Sequence, residues 1–192
     1  MPQPYLPSAF GVFLAPYHRP VRDPALQLRR DLEPVTELDR LGHEEVWAGE
    51  HHSAGYEIIA SPEPFLAAAA ERTGRIRLGT GVNSLPYHQP LVLADRICRL
   101  DQQSRGRAML GVGPGRLASD AFMMGVDPMD SLTMTADSPE VIVRLLRGET
   151  VTAATDWFTR PGERIRWRTA RRSPDPGRGR RSWSTAWACP GC

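Results

Sequence analysis

Short apolar runs alternate with longer stretches whose apolar residues recur three or four positions apart, and proline, glycine or an acid marks most changes of period. Phe10 to Ala15 (FGVFLA) reads as a first buried strand. Asp23-Pro24 supplies an N-cap and a first-turn proline for a helix carrying Leu28, Leu32, Val35 and Leu38 on one face and ending at Gly42. Pro34 interrupts that pattern and predicts a kink or split. Val46, Trp47 and Ala48 form a second strand. Ser61-Pro62-Glu63 repeats the cap signature and opens an alanine-rich helix over Phe65 to Arg72. Ile76 to Val82 is a third strand; Pro90 opens a third helix with Leu91, Ala94, Ile97, Cys98 and Leu100 inward. Arg107 to Gly113 is a fourth strand, and Ser138-Pro139-Glu140 caps a fourth helix with Val141, Ile142, Leu145 and Leu146 inward.

Strand followed by helix, four times over, makes this an α/β chain with a parallel sheet and right-handed crossovers. It is either a doubly wound sheet or part of a (β/α)8 barrel, and both put ligands at the C-terminal ends of strands. Those ends carry Tyr17-His18, Glu50-His51-His52, Gly81-Val82-Asn83 and Gly113-Pro114-Gly115.

The second of these holds the chemistry. Imidazole titrates near neutrality and can pass protons, and the strand pleat sends His51 and His52 to opposite faces, with His51 inward and Glu50 fixing its tautomer. Gly111-Val112-Gly113-Pro114-Gly115 lacks the correctly spaced third glycine of a dinucleotide fingerprint and an acidic residue at the right distance after it, and one Cys189-Pro190-Gly191-Cys192 pair cannot complete a zinc site. No metal is expected.

The 192 residues suit one domain with a real core, and the three cysteines do not make a disulfide framework. No apolar run is long enough for a membrane span, nor does the N-terminus read as a secretory signal, so a cytoplasmic protein is expected. The net charge of +2 hides an asymmetry: residues 160–192 hold nine arginines against Glu163 and Asp175, while the preceding residues are mildly acidic. A basic tail of that kind usually suggests nucleic acid, but its arginine, proline, glycine, serine and tryptophan without lysine is also what a GC-rich coding sequence yields in the wrong frame. No nucleic-acid or membrane partner is expected. The division is 1–158 as a partial domain and 159–192 as a basic, low-order tail; a basic disordered tail is the alternative to an out-of-frame one.

EHHSAG after a strand, LGTGVNSLPYHQP about thirty positions later and ADRICRLDQQSRGRAMLGVGPG together resemble the bacterial luciferase-like superfamily of flavin-dependent oxidoreductases, and within it the FMN-dependent group that includes limonene and alkanal monooxygenases. The resemblance runs from about Phe10 to Phe158. It implies the N-terminal half of a (β/α)8 barrel, about four of the eight βα units. It implies reduced FMN supplied by a separate flavin reductase, with O2 and a small apolar organic substrate as reactants, and a homo- or hetero-oligomer as one possible assembly. The resemblance puts His51 in the catalytic role, with Glu50 and His52 beside it, and the flavin ring against a cis peptide between Gly81 and Val82, near Asn83 and Gly113. Gly113 stands where luciferases carry a reactive cysteine, Gln89 where they carry a histidine, and no arginine occupies 131–133. The alternatives are a non-catalytic half-barrel fragment or accessory subunit, and a deazaflavin-dependent reductase of the same superfamily. Four strands alone would leave Phe13, Trp47, Leu78 and Leu110, or their pleat neighbours, facing water, so the chain by itself is expected to aggregate, stay molten or need a partner.

Overall fold

The computed structural model describes residues 10–15, 17–53, 55–163 and 186–187. Strands β1 (Gly11–Leu14), β2 (Glu45–Ala48), β3 (Arg77–Ser84) and β4 (Ala108–Gly113) lie side by side in chain order, all parallel, and β7 (Ala186–Trp187) pairs in parallel with β4. Between them run α1 (Pro24–Leu41), α2 (Pro62–Ala70) and α3 (Pro90–Gln103), followed by α4 (Ala118–Met124) and α5 (Ser131–Leu146). The remaining strands, β5 (Val151–Ala154) and β6 (Thr159–Glu163), form an antiparallel hairpin closed by Thr155 N–H donating to the Phe158 carbonyl at 2.9 Å. Regular structure therefore continues into 159–163; residues 164–185, the bulk of the basic tail, lie outside the described residues. Among the described residues no helix is long and apolar enough to cross a membrane.

The pleat decides which residues meet the helices. Val46 and Ala48 of β2 and Leu78 of β3 point outward and join Leu32, Val35, Phe65, Leu66 and Ile76 in one buried cluster under α1 and α2. Leu110 and Val112 of β4 join a second cluster with Leu93, Ile97, Ile142 and Leu145 under α3 and α5. The opposite face carries Phe13, Trp47, Gly79 and Met109 in one register row. A Cβ added to Gly79 would lie 2.4 Å from Trp47 Cε3, so glycine there gives the indole its resting place. The inner face is thus Phe13, 58% exposed, and half-buried Trp47, whereas Leu78 and Leu110 belong to the helix-covered side.

Two prolines sit inside helices. Pro34 neither splits nor ends α1, because it lies on the exposed side, where the carbonyl it leaves unpaired meets water, while Leu32 and Val35 anchor the buried side. Asp23 caps the start of α1 by accepting from Ala25 N–H at 2.8 Å, and Gly42 ends it at φ 87°, as its sequence signals indicate. Pro139 does not open its helix either: α5 begins at Ser131, and buried Ser138, Pro139, Val141 and Ile142 hold the turn in place. The short α4 carries only Asp120 in its first turn and Gly125 at its end as local signals, and hydrophobic periodicity passes over it.

Candidate functional site

Strand β2 ends at Ala48, two residues before Glu50, so the pleat no longer governs where the Glu50, His51 and His52 side chains point. The Glu50 carboxylate is buried at 5% exposure, and three N–H groups converge on it. His52 Nε2 lies 2.8 Å from Oε1, His88 Nε2 lies 2.8 Å from Oε1 and 3.1 Å from Oε2, and Ser84 N–H donates to Oε2 at 2.8 Å. Burial pushes the Glu50 carboxyl up. The opposing contacts, His88 foremost, then Ser84 and His52, outweigh it and hold the group below the usual glutamate range. The expectation that Glu50 orients His51 is therefore corrected: its partners are His52 and His88, because the chain turns after Ala48 and swings the carboxylate toward the β3 end.

His51 has its own carboxylate. Its Nε2 lies 2.8 Å from Glu57 Oε2, and its Nδ1, shielded from solvent and without a hydrogen-bond partner, lies 3.7 Å from Asp120 Oδ2. The side chain opens on a hollow of about 230 Å3, counting its open mouth, whose other lining residues are Leu14, Ala15, His18, Gly49, Glu57 and Ile59. His18, named at the β1 end but given no role there, is buried at 2%; its Nδ1 accepts from Ile58 N–H at 3.2 Å, so its proton sits on Nε2, 2.7 Å from Asp31 Oδ2. The Ile58 contact ties the loop after β1 to the loop after β2, and the Asp31 contact ties it to α1. Asp120 ties α4 to the same region by accepting from Ser53 N–H at 2.7 Å, and the Ser53 and Ser119 hydroxyls meet at 2.7 Å.

At the end of β3 the Gly81–Val82 peptide is cis, and the pairing with β4 shifts register between Thr80 and Asn83. Thr80 bridges the irregularity: its hydroxyl donates to the Gly111 carbonyl at 3.0 Å and accepts from Gly111 N–H at 3.1 Å. A Cβ on Gly81 would stand 3.1 Å from Trp47 Cβ and 3.3 Å from Phe13 Cε2, and one on Gly49 would stand 3.5 Å from Phe13 Cζ. The two glycines make a side-chain-free surface on which an aromatic ring already rests. Gly113 makes room for Val82, whose Cγ2 would be 2.8 Å from an added Cβ. Asn83 faces the helix layer, fully buried, its amide donating to Glu63 Oε1 at 3.1 Å. Gln89 spends its side chain as the N-cap of α3, accepting from Leu91 N–H at 3.0 Å. Tyr87 lies edge-on to His52 and hydrogen-bonds the Gly115 carbonyl at 3.2 Å. Among the described residues no group of three or more His, Cys, Asp and Glu side chains is placed to hold a metal ion.

The structure thus brings Glu50 and His52 together with His88, a residue that stands 38 positions from Glu50 and that its own sequence context did not single out. His51 stands apart from them with Glu57 and Asp120.

The family model described as luciferase-like monooxygenase matches residues 8–186. The chain is 59% identical over 150 residues to limonene 1,2-monooxygenase of Rhodococcus erythropolis, covering 78% of this chain and 39% of that protein. It is 53% identical over 169 residues to 4-hydroxyprotoasukamycin monooxygenase of Streptomyces nodosus subsp. asukaensis, covering 88% and 46%. Among solved structures it is similar to the oxygenating constituent of 3,6-diketocamphane monooxygenase from Pseudomonas putida in complex with FMN, at TM-score 0.74 and 26% identity over 79% of this chain and 42% of that one. The chain spans less than half the length of these relatives, and its parallel strands with their outer helices are the N-terminal half of a (β/α)8 barrel. It belongs to the luciferase-like monooxygenase family.

Proposed function

We propose that this chain is the flavin-facing half of a monooxygenase that uses reduced FMN and O2 on a small apolar substrate, with His51 as its proton donor and acceptor. The observation that carries the reading is the position of His51, at once on a largely apolar hollow and beside the glycine surface of Gly49 and Gly81. That surface fits a flat ring system: it has no side chains, and the Phe13 ring lies 3.5 Å from a Cβ added at Gly49 and 3.3 Å, tighter than ordinary contact, from one added at Gly81. When bound, the reduced flavin supplies electrons to O2.

The chain's own residues then have four tasks. Gly49 and Gly81 give the ring a wall it can approach closely, and Val82, seated on Gly113, borders that wall. Asn83 acts from behind, bracing the strand end against Glu63. Leu14, Ala15 and Ile59 keep water from the hollow, which strengthens every electrostatic contact inside it. His51 handles the proton. With Nε2 engaged by Glu57, exchange falls to Nδ1, which lies 3.7 Å from the Asp120 carboxylate. Gly113 offers no thiol, so the chemistry does not pass through a cysteine. A separate flavin reductase supplying the reduced cofactor belongs to the same reading.

The test replaces His51 by Ala in a protein extended with the C-terminal half of a relative. Turnover should fall by about a hundredfold or more, the usual worth of a general acid or base, while FMN binding by equilibrium titration stays intact. Activity within a few-fold of wild type overturns the assignment. Titration with a deazaflavin in parallel separates the two cofactor classes.

A further inference from the structure

The Glu50 carboxylate is anchored from two directions, and the family reading uses only one of them. His52 reaches it from the loop after β2, whereas Ser84 N–H and His88 reach it from the end of β3 and the single 3-10 turn Leu85–Tyr87 that follows. We propose that His88 is a positioning residue: acting through Glu50, it holds the imidazole of His52 as the Nε2–H tautomer and leaves Nδ1 as the nitrogen of His52 that takes up and releases a proton.

Donor and acceptor count fixes which ring nitrogens carry protons. An ionised carboxylate only accepts, so each histidine nitrogen that hydrogen-bonds it must carry a proton. Both contacts are made by Nε2, at 2.8 Å, within the range of charge-assisted bonds. Both rings are therefore Nε2–H, and each can gain a second proton only at Nδ1. The His88 side chain is 9% exposed and that of His52 13%, so water competes weakly for these bonds.

Without His88, Glu50 keeps two donors instead of three and loses the contact that spans both its oxygens. The carboxylate is then held only through Ser84 on one oxygen and His52 on the other, and its hold on the His52 tautomer weakens. The other groups facing the cluster are the Tyr87 phenol, edge-on to His52, and Asp120, whose charge acts on Tyr87; neither bonds Glu50 directly. His51, on Glu57 and Asp120, is a separate unit.

The proposal deepens the monooxygenase reading, on which its functional meaning rests, yet the tautomer is measurable without cofactor or turnover. Imidazole 15N shifts of the histidine-labelled 192-residue chain report the protonation of each ring nitrogen. Near neutral pH, wild-type His52 and His88 should both show a protonated Nε2, with the Nε2–H form of His52 favoured about tenfold or more, as a charge-assisted bond dictates. In His88→Leu the His52 shifts should move to an average of the two tautomers. In His88→Gln, whose side-chain amide still donates to Glu50, they should return toward wild type. A wild-type His52 or His88 protonated on Nδ1 and bare on Nε2, or a folded His88→Leu with an unchanged His52 signature, overturns the proposal. If His88→Leu does not fold, the wild-type and His88→Gln spectra decide it. Flavin titration of the protein extended with the C-terminal half of a relative tests the monooxygenase reading separately, since its failure leaves the tautomer result standing.

Discussion

Exchanging one oxygen of Glu50 for an NH2 group in Glu50→Gln preserves shape and removes charge. The carboxylate accepts from His52, His88 and Ser84, each at 2.8 Å. Glutamine keeps one accepting oxygen and turns its other position into a donor aimed at groups that also donate. At least one charge-assisted bond is lost and the others weaken to neutral ones; at about 1.5–3 kcal/mol per charged bond, the net cost near neutral pH is about 2–4 kcal/mol. For a chain of this size that corresponds to a fall of about 5–15 °C in Tm. The pH dependence has a definite sign. The folded-state pKa of Glu50 is held below the ordinary value of 4.5, so its contribution is fully present above that value and is lost as pH falls through the folded pKa. Urea unfolding of wild type and Glu50→Gln, followed by circular dichroism near neutral pH and in acid, should give a difference that is large in the first case and shrinks in the second. A difference under about 0.5 kcal/mol near neutral pH, or one that does not change in acid, refutes the reasoning. Glu50→Leu, which leaves all three donors unpaired, should cost at least as much.

Two further outcomes follow from packing and burial. Gly79→Ala drives a methyl to 2.4 Å from the Trp47 indole and should cost about 1–3 kcal/mol in chemical denaturation, most of it recovered when Trp47→Leu is added in a double-mutant cycle. Equal costs in both backgrounds would show that the indole does not rest there. Burial first, then Asp101 and Asp95, push the Cys98 thiol up to about 11. Alkylation followed by peptide mapping should therefore leave Cys98 unmodified at mildly alkaline pH until urea unfolds the chain.

Much of the fold is legible from local pattern. Short apolar runs and period-3.6 apolar spacing, Asp23-Pro24 and Gly42 at the ends of α1, and proline at the starts of α2 and α3 are properties of a few adjacent residues, so the parallel βα series follows from them, as does the location of the EHH segment at a strand end. The two helices with internal prolines are where local rules lose. An internal proline loses a helix bond and crowds the carbonyl one turn back, a cost that is smaller where water meets the freed carbonyl, and whether Pro34 faces water is a matter of what packs on α1.

The site divides along the same line. That histidines and a carboxylate meet at the end of β2 is written in three consecutive letters. Which imidazole the carboxylate holds is not, because β2 stops at Ala48 and the partner His88 arrives only once β3 has paired beside β2 and turned back into α3. Glu57 reaching His51, Asp120 reaching Ser53 across 67 positions, and the Trp47 indole lying on Gly79 depend equally on strand register and crossover geometry. Side-chain direction along a strand or helix is set by neighbours in sequence; hydrogen-bond partners are set by neighbours in space, and only the assembled sheet decides those.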